Sequence, residues 1–189
     1  MEIYVTKHGQ TEWNVLQKMQ GQTDIELNEV GREQAKATGE LIKNENIDLI
    51  ITSPLKRAKE TAEIINKNFN VQIIEDKRLM ERGYGEQEGK TREERNMLKE
   101  SDYETDVFWN YNKNIDACDV ERIKEFCDRI YAALDEIIEK YKDKKVLVVT
   151  HGGTSVIIKC YFMKYPLENL VGGYDIKSLK NCEVAKFIV

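Results

Sequence analysis

The sequence predicts an α/β fold, a three-layer αβα sandwich around a mostly parallel sheet of five or six strands. Three observations predict it. Short apolar runs alternate with helix-patterned segments along nearly all of the 189 residues, the order that builds a parallel sheet covered on both faces by helices. The run Val146-Leu147-Val148-Val149 shows no apolar/polar alternation, which marks a strand buried on both faces. The length suffices for one compact core, and no repeat, linker or low-complexity stretch divides it. Residues 1–189 are therefore expected to form one domain.

The elements run in this order. Residues 2–6 read as the first strand, ending at Lys7-His8-Gly9. A polar loop through Asn14, Gln20 and Asp24 leads to a helix over 31–43, where Ala35, Thr38, Leu41 and Ile42 fall at helical spacing. Residues 48–52 form a short buried strand. Ser53-Pro54 stops it and opens the next helix, with the serine as its hydroxyl cap. Residues 71–74 are a third strand, followed by the loop 78–85. Residues 90–118 are charged and less regular, and are expected to hold a short helix and a lid-like excursion over the substrate. From Val120 a long amphipathic helix carries Ile123, Phe126, Ile130, Leu134 and Ile137. Residues 145–150 are the buried strand, His151-Gly152-Gly153-Thr154 opens a nearly all-apolar helix, and 183–189 form a last strand.

Composition narrows the function. Apolar residues make up 41% and charged residues 33% of the chain, the balance of a soluble globular protein. No apolar run approaches the roughly 20 residues of a membrane helix. Met1-Glu2-Ile3-Tyr4-Val5 has neither the basic start nor the long apolar stretch of a secretory signal, so a cytoplasmic location is expected. A net charge of −5 argues against a nucleic-acid partner, while a few cations can still line one pocket for a small phosphate. Cys118, Cys127, Cys160 and Cys182 are scattered without a Cys-x-x-Cys pair. They read as reduced thiols rather than a zinc site.

The chain has two histidines, and each follows an apolar strand and precedes glycine: Val5-Thr6-Lys7-His8-Gly9 and Val148-Val149-Thr150-His151-Gly152. Ligands of parallel α/β sheets bind beyond the carboxyl ends of the strands, so both rings are expected at one edge, facing each other. Lys7 abuts His8. Arg57 sits on the first turn of a helix directed at the same edge, where it can grip two phosphate oxygens. Gly152-Gly153-Thr154 offers a second helix N-terminus there. Glu81 and Glu88 bracket a loop after the third strand, where a carboxyl group could protonate a leaving alkoxide.

Together these pieces resemble the histidine phosphatase superfamily, with its phosphoglycerate mutase-like fold. Lys7-His8-Gly9-Gln10-Thr11-Glu12-x-Asn14 resembles the family's Arg-His-Gly-Glu/Gln-Thr-x-x-Asn opening, and Gln20-Gly21, Asp24, Leu27 and Gly31 fit the family's downstream loop and helix start. Ser53-Pro54-Leu55-x-Arg57-Ala58-x-x-Thr61-Ala62 fits the second motif. Glu81 fits the acid/base position, Gly85-x-x-Glu88-Gly89 the loop after it, and Thr150-His151-Gly152-Gly153 the second histidine.

The resemblance implies two-step phosphoryl transfer through a phosphohistidine on His8, with Glu81 as general acid and base. Catalytic roles then fall to His8, Glu81, His151 and Arg57. Lys7, Asn14, Arg57, His151 and Gly152 would bind the phosphate, and Gln20, Gly21, Arg82 and Tyr84 the rest of the substrate. No metal or other cofactor is expected. The partner is a small phosphorylated metabolite, acted on by a monomer or homodimer without nucleic acid or membrane. Lys7 departs from the family's arginine and should lower turnover without abolishing it.

Three activities compete. A phosphatase is favoured by the short span between Glu81 and His151 and by Glu88-Gly89. A phosphoglycerate mutase is the alternative, because Glu81-Arg82-Gly83-Tyr84-Gly85 resembles the mutase Glu-Arg-His-Tyr-Gly segment, although Arg92 and Arg95 are not adjacent. A non-catalytic phospho-ligand-binding relative is the third. Lys90, Arg92, Arg95, Phe108, Trp109 and Tyr111 are candidates for closing over the ligand.

Overall fold

The computed structural model describes residues 1–97, 109–113, 119–171 and 176–189. Five strands form one sheet in the order β3-β2-β4-β1-β5, comprising β1 (Glu2–Lys7), β2 (Leu49–Thr52), β3 (Gln72–Glu75), β4 (Lys145–Thr150) and β5 (Val184–Ile188). The contacts β1–β4, β4–β2 and β2–β3 are parallel. Only β5 runs antiparallel, pairing Glu2 with Ile188 and Thr6 with Val184. The sheet is thus mostly parallel and five-stranded, as the alternation of elements predicts.

Strand geometry sends successive side chains to opposite faces, and the two cores divide accordingly. Ile3, Val5, Leu49, Ile51, Val146 and Val148 pack on one face, against α5 (Ile123–Lys140) and α6 (Gly152–Met163). Tyr4, Ile50, Leu147 and Val149 pack on the other, with Ile42 of α2 (Glu29–Ile42) and Ala58, Ala62 and Ile65 of α3 (Lys56–Asn66). Val146 to Val149 are completely buried, which accounts for the unbroken apolar run of β4. Two short helices also lie among the described residues, α1 (Glu12–Val15) and α4 (Arg92–Asn96).

Several expected boundaries move for local reasons. Helix α2 begins two residues early because Asn28 accepts the Gly31 N–H at 2.9 Å and caps it. Helix α3 begins at Lys56, and its N-cap is Leu55, which makes no side-chain cap bond. Ser53 is therefore not the N-cap that the Ser-Pro pair suggests; its Oγ accepts the Leu55 N–H at 3.3 Å, ahead of the first helical residue. Within 90–118 only residues 90–97 and 109–113 are described. They supply the expected short helix, capped reciprocally by Thr91 and Glu94, whereas Phe108 and Cys118 lie outside the described residues. Among the described residues, no helix is long and apolar enough to cross a membrane.

Candidate active site

Parallel pairing sets Lys7 opposite Thr150, so the next residue on each strand, His8 and His151, leaves the sheet beside the other. Their ring centroids lie 5.3 Å apart at 55°, and both rings are buried. His8 Nδ1 lies 2.7 Å from the Gly9 carbonyl oxygen. A carbonyl only accepts, so Nδ1 carries the hydrogen and Nε2 keeps its lone pair. Burial, then the charges of Arg57 and Lys7, holds the His8 imidazole well below the usual histidine range. At neutral pH it is an uncharged imidazole with a fixed tautomer.

Cations surround it. Arg57 has no exposed surface; one Nη donates to Thr23 O at 2.8 Å and the other to Gly21 O at 2.6 Å. These two carbonyls hold the fork in place. Nε is buried without a partner and, with the remaining Nη–H bonds, is available to an anion. Burial pushes the guanidinium down to about 10, which leaves it charged at neutral pH. Lys7 lines the same cavity of about 170 Å³. Burial, with Arg57 adding to it and Glu81 opposing, moves its ammonium below the ordinary lysine range. Gly152, the first residue of α6, also lines the cavity.

Asn14 reaches the cavity through α1. Its Oδ1 accepts from the Thr11 N–H, the Thr11 hydroxyl and Asn181 Nδ2, at 3.1, 3.2 and 3.3 Å. With the oxygen so occupied, the amide nitrogen is the group left for a ligand. Gln20 and Gly21 line the cavity as well. Gly21 takes a left-handed φ of 51°, and a Cβ there would collide with the Glu88 carboxylate. That carboxylate accepts the N–H groups of Gln22, Thr23 and Tyr84, tying the loop before α2 to the loop after β3.

Glu81 stands at the start of α6, accepting the Gly153 N–H on Oε2 at 2.8 Å and the Arg82 N–H on Oε1 at 2.9 Å. Arg129 of α5 donates to the carbonyls of Arg78, Met80 and Glu81 and fixes this loop from behind. Tyr84 lines the cavity. Arg82 is not among the residues lining the cavity: Nε donates to Glu121 O at 2.8 Å, and the guanidinium lies 5.8 Å from the Tyr84 and Trp109 ring centroids. Two residues enter that the sequence did not single out, and a third, Ser53, takes a place other than the helix cap expected of it. Lys18 and Met19 line the cavity, and the Ser53 hydroxyl touches His151 Nε2 at 2.7 Å. The Met-Gln-Gly run beside Gln20 was the available signal for the first two.

A parallel sheet whose strand ends present a neutral histidine, buried cations and an oriented carboxylate belongs to a phosphate-handling class of α/β enzyme. The chain belongs to the histidine phosphatase superfamily (branch 1), whose sequence model matches residues 3–187. It is 42% identical over 150 residues to the uncharacterized phosphatase PhoE of Bacillus subtilis, covering 79% of this chain and 71% of that protein. It is 38% identical over 154 residues to the metal-independent phosphoserine phosphatase of Arabidopsis thaliana, covering 80% of this chain and 64% of that one. Among solved structures, Bacillus stearothermophilus YhfR superposes with a TM-score of 0.89 at 30% identity, covering 100% and 91% of the two chains. The mycobacterial glucosyl-3-phosphoglycerate phosphatase Rv2419c, complexed with VO3, superposes with a TM-score of 0.85 at 25% identity, covering 98% and 90%.

Proposed function

We propose that the protein is a metal-independent phosphatase that hydrolyses small phosphorylated metabolites through a phosphohistidine on His8. The observation that carries this reading is the 2.7 Å contact from His8 Nδ1 to the Gly9 carbonyl, which leaves Nε2 unprotonated and directed to attack. In the first step Nε2 forms a bond to phosphorus as the bond to the leaving oxygen breaks, and the Glu81 carboxyl gives that oxygen its proton. In the second step the Glu81 carboxylate takes a proton from water. The water oxygen bonds to phosphorus, the P–N bond breaks, and neutral His8 and inorganic phosphate result.

Charge on the equatorial oxygens is met by fixed groups, Lys7, Arg57, the Asn14 amide and the N-terminus of α6. Metal independence is supported by these built-in positive groups and by the name of the Arabidopsis relative. The phosphatase-named relatives also favour hydrolysis over mutase activity. The mutase reading rests on the Glu81-to-Gly85 segment, in which Arg82 and Tyr84 would contact the substrate, and the engagement of Arg82 with the Glu121 carbonyl weakens it.

The test is release of inorganic phosphate from a panel of phosphorylated metabolites in the presence of a chelator. His8→Ala should lose on the order of 10⁴-fold or more in kcat, and acid-quenched wild type should carry a phosphoryl mass on the peptide containing His8. Phosphate release unaffected by His8→Ala would defeat the proposal.

A further inference from the structure

Ser53 has no exposed surface, and its Oγ lies 2.7 Å from His151 Nε2. Its other hydrogen-bond partner is the Leu55 N–H, at 3.3 Å. A serine hydroxyl has one hydrogen to donate, and a buried donor left unpaired is costly. The Leu55 N–H can only donate, so among the described residues the acceptor available to the serine hydrogen is His151 Nε2. Nε2 therefore carries a lone pair, and the hydrogen of the neutral ring sits on Nδ1. That Nδ1 is buried and has no partner among the described residues, and its ring stands 5.3 Å from the ring of His8.

We infer that Ser53 is a positioning residue that holds His151 as the Nδ1–H tautomer and so presents a neutral N–H donor to the phosphoryl group on His8. The ligand in this inference rests on the phosphohistidine reading above; the tautomer does not. Protonating Nε2 as well would set a donor against a hydroxyl whose own hydrogen then has no acceptor, so Ser53 opposes the charged ring. Burial acts in the same direction, together with the fields of the positive or ionisable groups around it: Arg57 of α3, His8 and Lys7 at the end of β1, and Arg129 of α5. An uncharged donor steadies a phosphoryl oxygen in transfer without adding another cation to hold the product phosphate.

The chain has only two histidines, so selective 15N labelling yields two ring systems, separated by comparison with His8→Ala. Two-bond proton–nitrogen correlation of the resting wild type should give His151 a protonated Nδ1 and an unprotonated Nε2. A protonated Nε2 would overturn the inference without any variant being made. In Ser53→Ala the His151 pattern should move to protonated Nε2 or to a mixture; an unchanged pattern removes Ser53 from the role. On p-nitrophenyl phosphate, Ser53→Ala should lower kcat at least about tenfold with KM within about twofold, and Ser53→Thr should recover much of the loss. Wild-type kcat in Ser53→Ala would also overturn it. Because the tautomer is read without turnover, a wild type that releases no phosphate would count against the proposed function alone.

Discussion

Lysine at position 7 gives the cavity beside His8 a positive charge without the flat two-pronged donor that arginine provides. Its ammonium is held below the ordinary lysine range by burial and by Arg57, so it loses its proton at a lower pH than a solvated lysine. As pH rises through that lowered value the charge disappears and the rate should fall. Lys7→Arg should raise kcat/KM on an aryl phosphate several-fold, on the order of the 1–2 kcal/mol separating a charge-assisted bidentate contact from a single one. It should also move the alkaline limb of the pH profile upward. Equal rates and an unmoved limb would show that the lysine serves as well as arginine. Most residues of the site could be found in the sequence at this scale, because His8, His151, Arg57 and Glu81 each follow a strand end or open a helix. Ser53 could not be read correctly, since its partner lies 98 residues away.

Local rules are overruled where one element meets another. The Ser-Pro pair before α3 has the form of a helix start, yet the serine hydroxyl meets His151 at the strand end of β4, and the first helical N–H, that of Lys56, is accepted by Asp24 Oδ1 at 2.7 Å. Arg82 lies next to Glu81 in sequence, but its Nε donates to the backbone of residue 121. Gly153 is the clearest case of close approach. A Cβ there would sit 2.5 Å from Glu81 Oε1 and 3.1 Å from the Trp109 ring. Gly153→Ala should therefore displace the carboxyl group and lower kcat by about a hundredfold, the usual effect of misplacing a reacting group by an ångström. Circular dichroism and the melting transition should change little. A variant with unaltered kcat would show that Glu81 need not be held in this position.

Both cores meet at the sheet, so the central strand governs the stability of the molecule. Leu147 is completely buried against α2 and α3, and Leu147→Ala should cost about 2–5 kcal/mol in urea unfolding. Acid sensitivity has a separate origin. His8 and His151 are both held well below the usual histidine range, chiefly by burial. The unfolded chain therefore binds protons on these rings more readily than the folded one. Stability from this source is fully present above about pH 6.5 and is lost as pH falls below it, by up to about 1.4 kcal/mol per pH unit for each ring. Urea midpoints measured between pH 7.5 and 5 should fall more steeply in the wild type than in a His8→Asn, His151→Asn double variant. Parallel slopes would rule out these rings as the source.

Periodicity and strand-end chemistry are local properties, so the amino-acid order alone determined the layer architecture, the buried character of β4 and the edge at which the two histidines emerge. It also marked Arg57 and Glu81, because helix starts and strand ends leave their signatures within a few residues. Only the tertiary structure decided which hydrogen-bonding groups were already taken. The Arg57 fork is held by the carbonyls of Gly21 and Thr23, Arg82 is engaged by residue 121, and the Ser53 hydroxyl belongs to His151. A buried polar group must find a partner wherever the fold brings one, and that partner is set by contacts across the chain that no local pattern encodes.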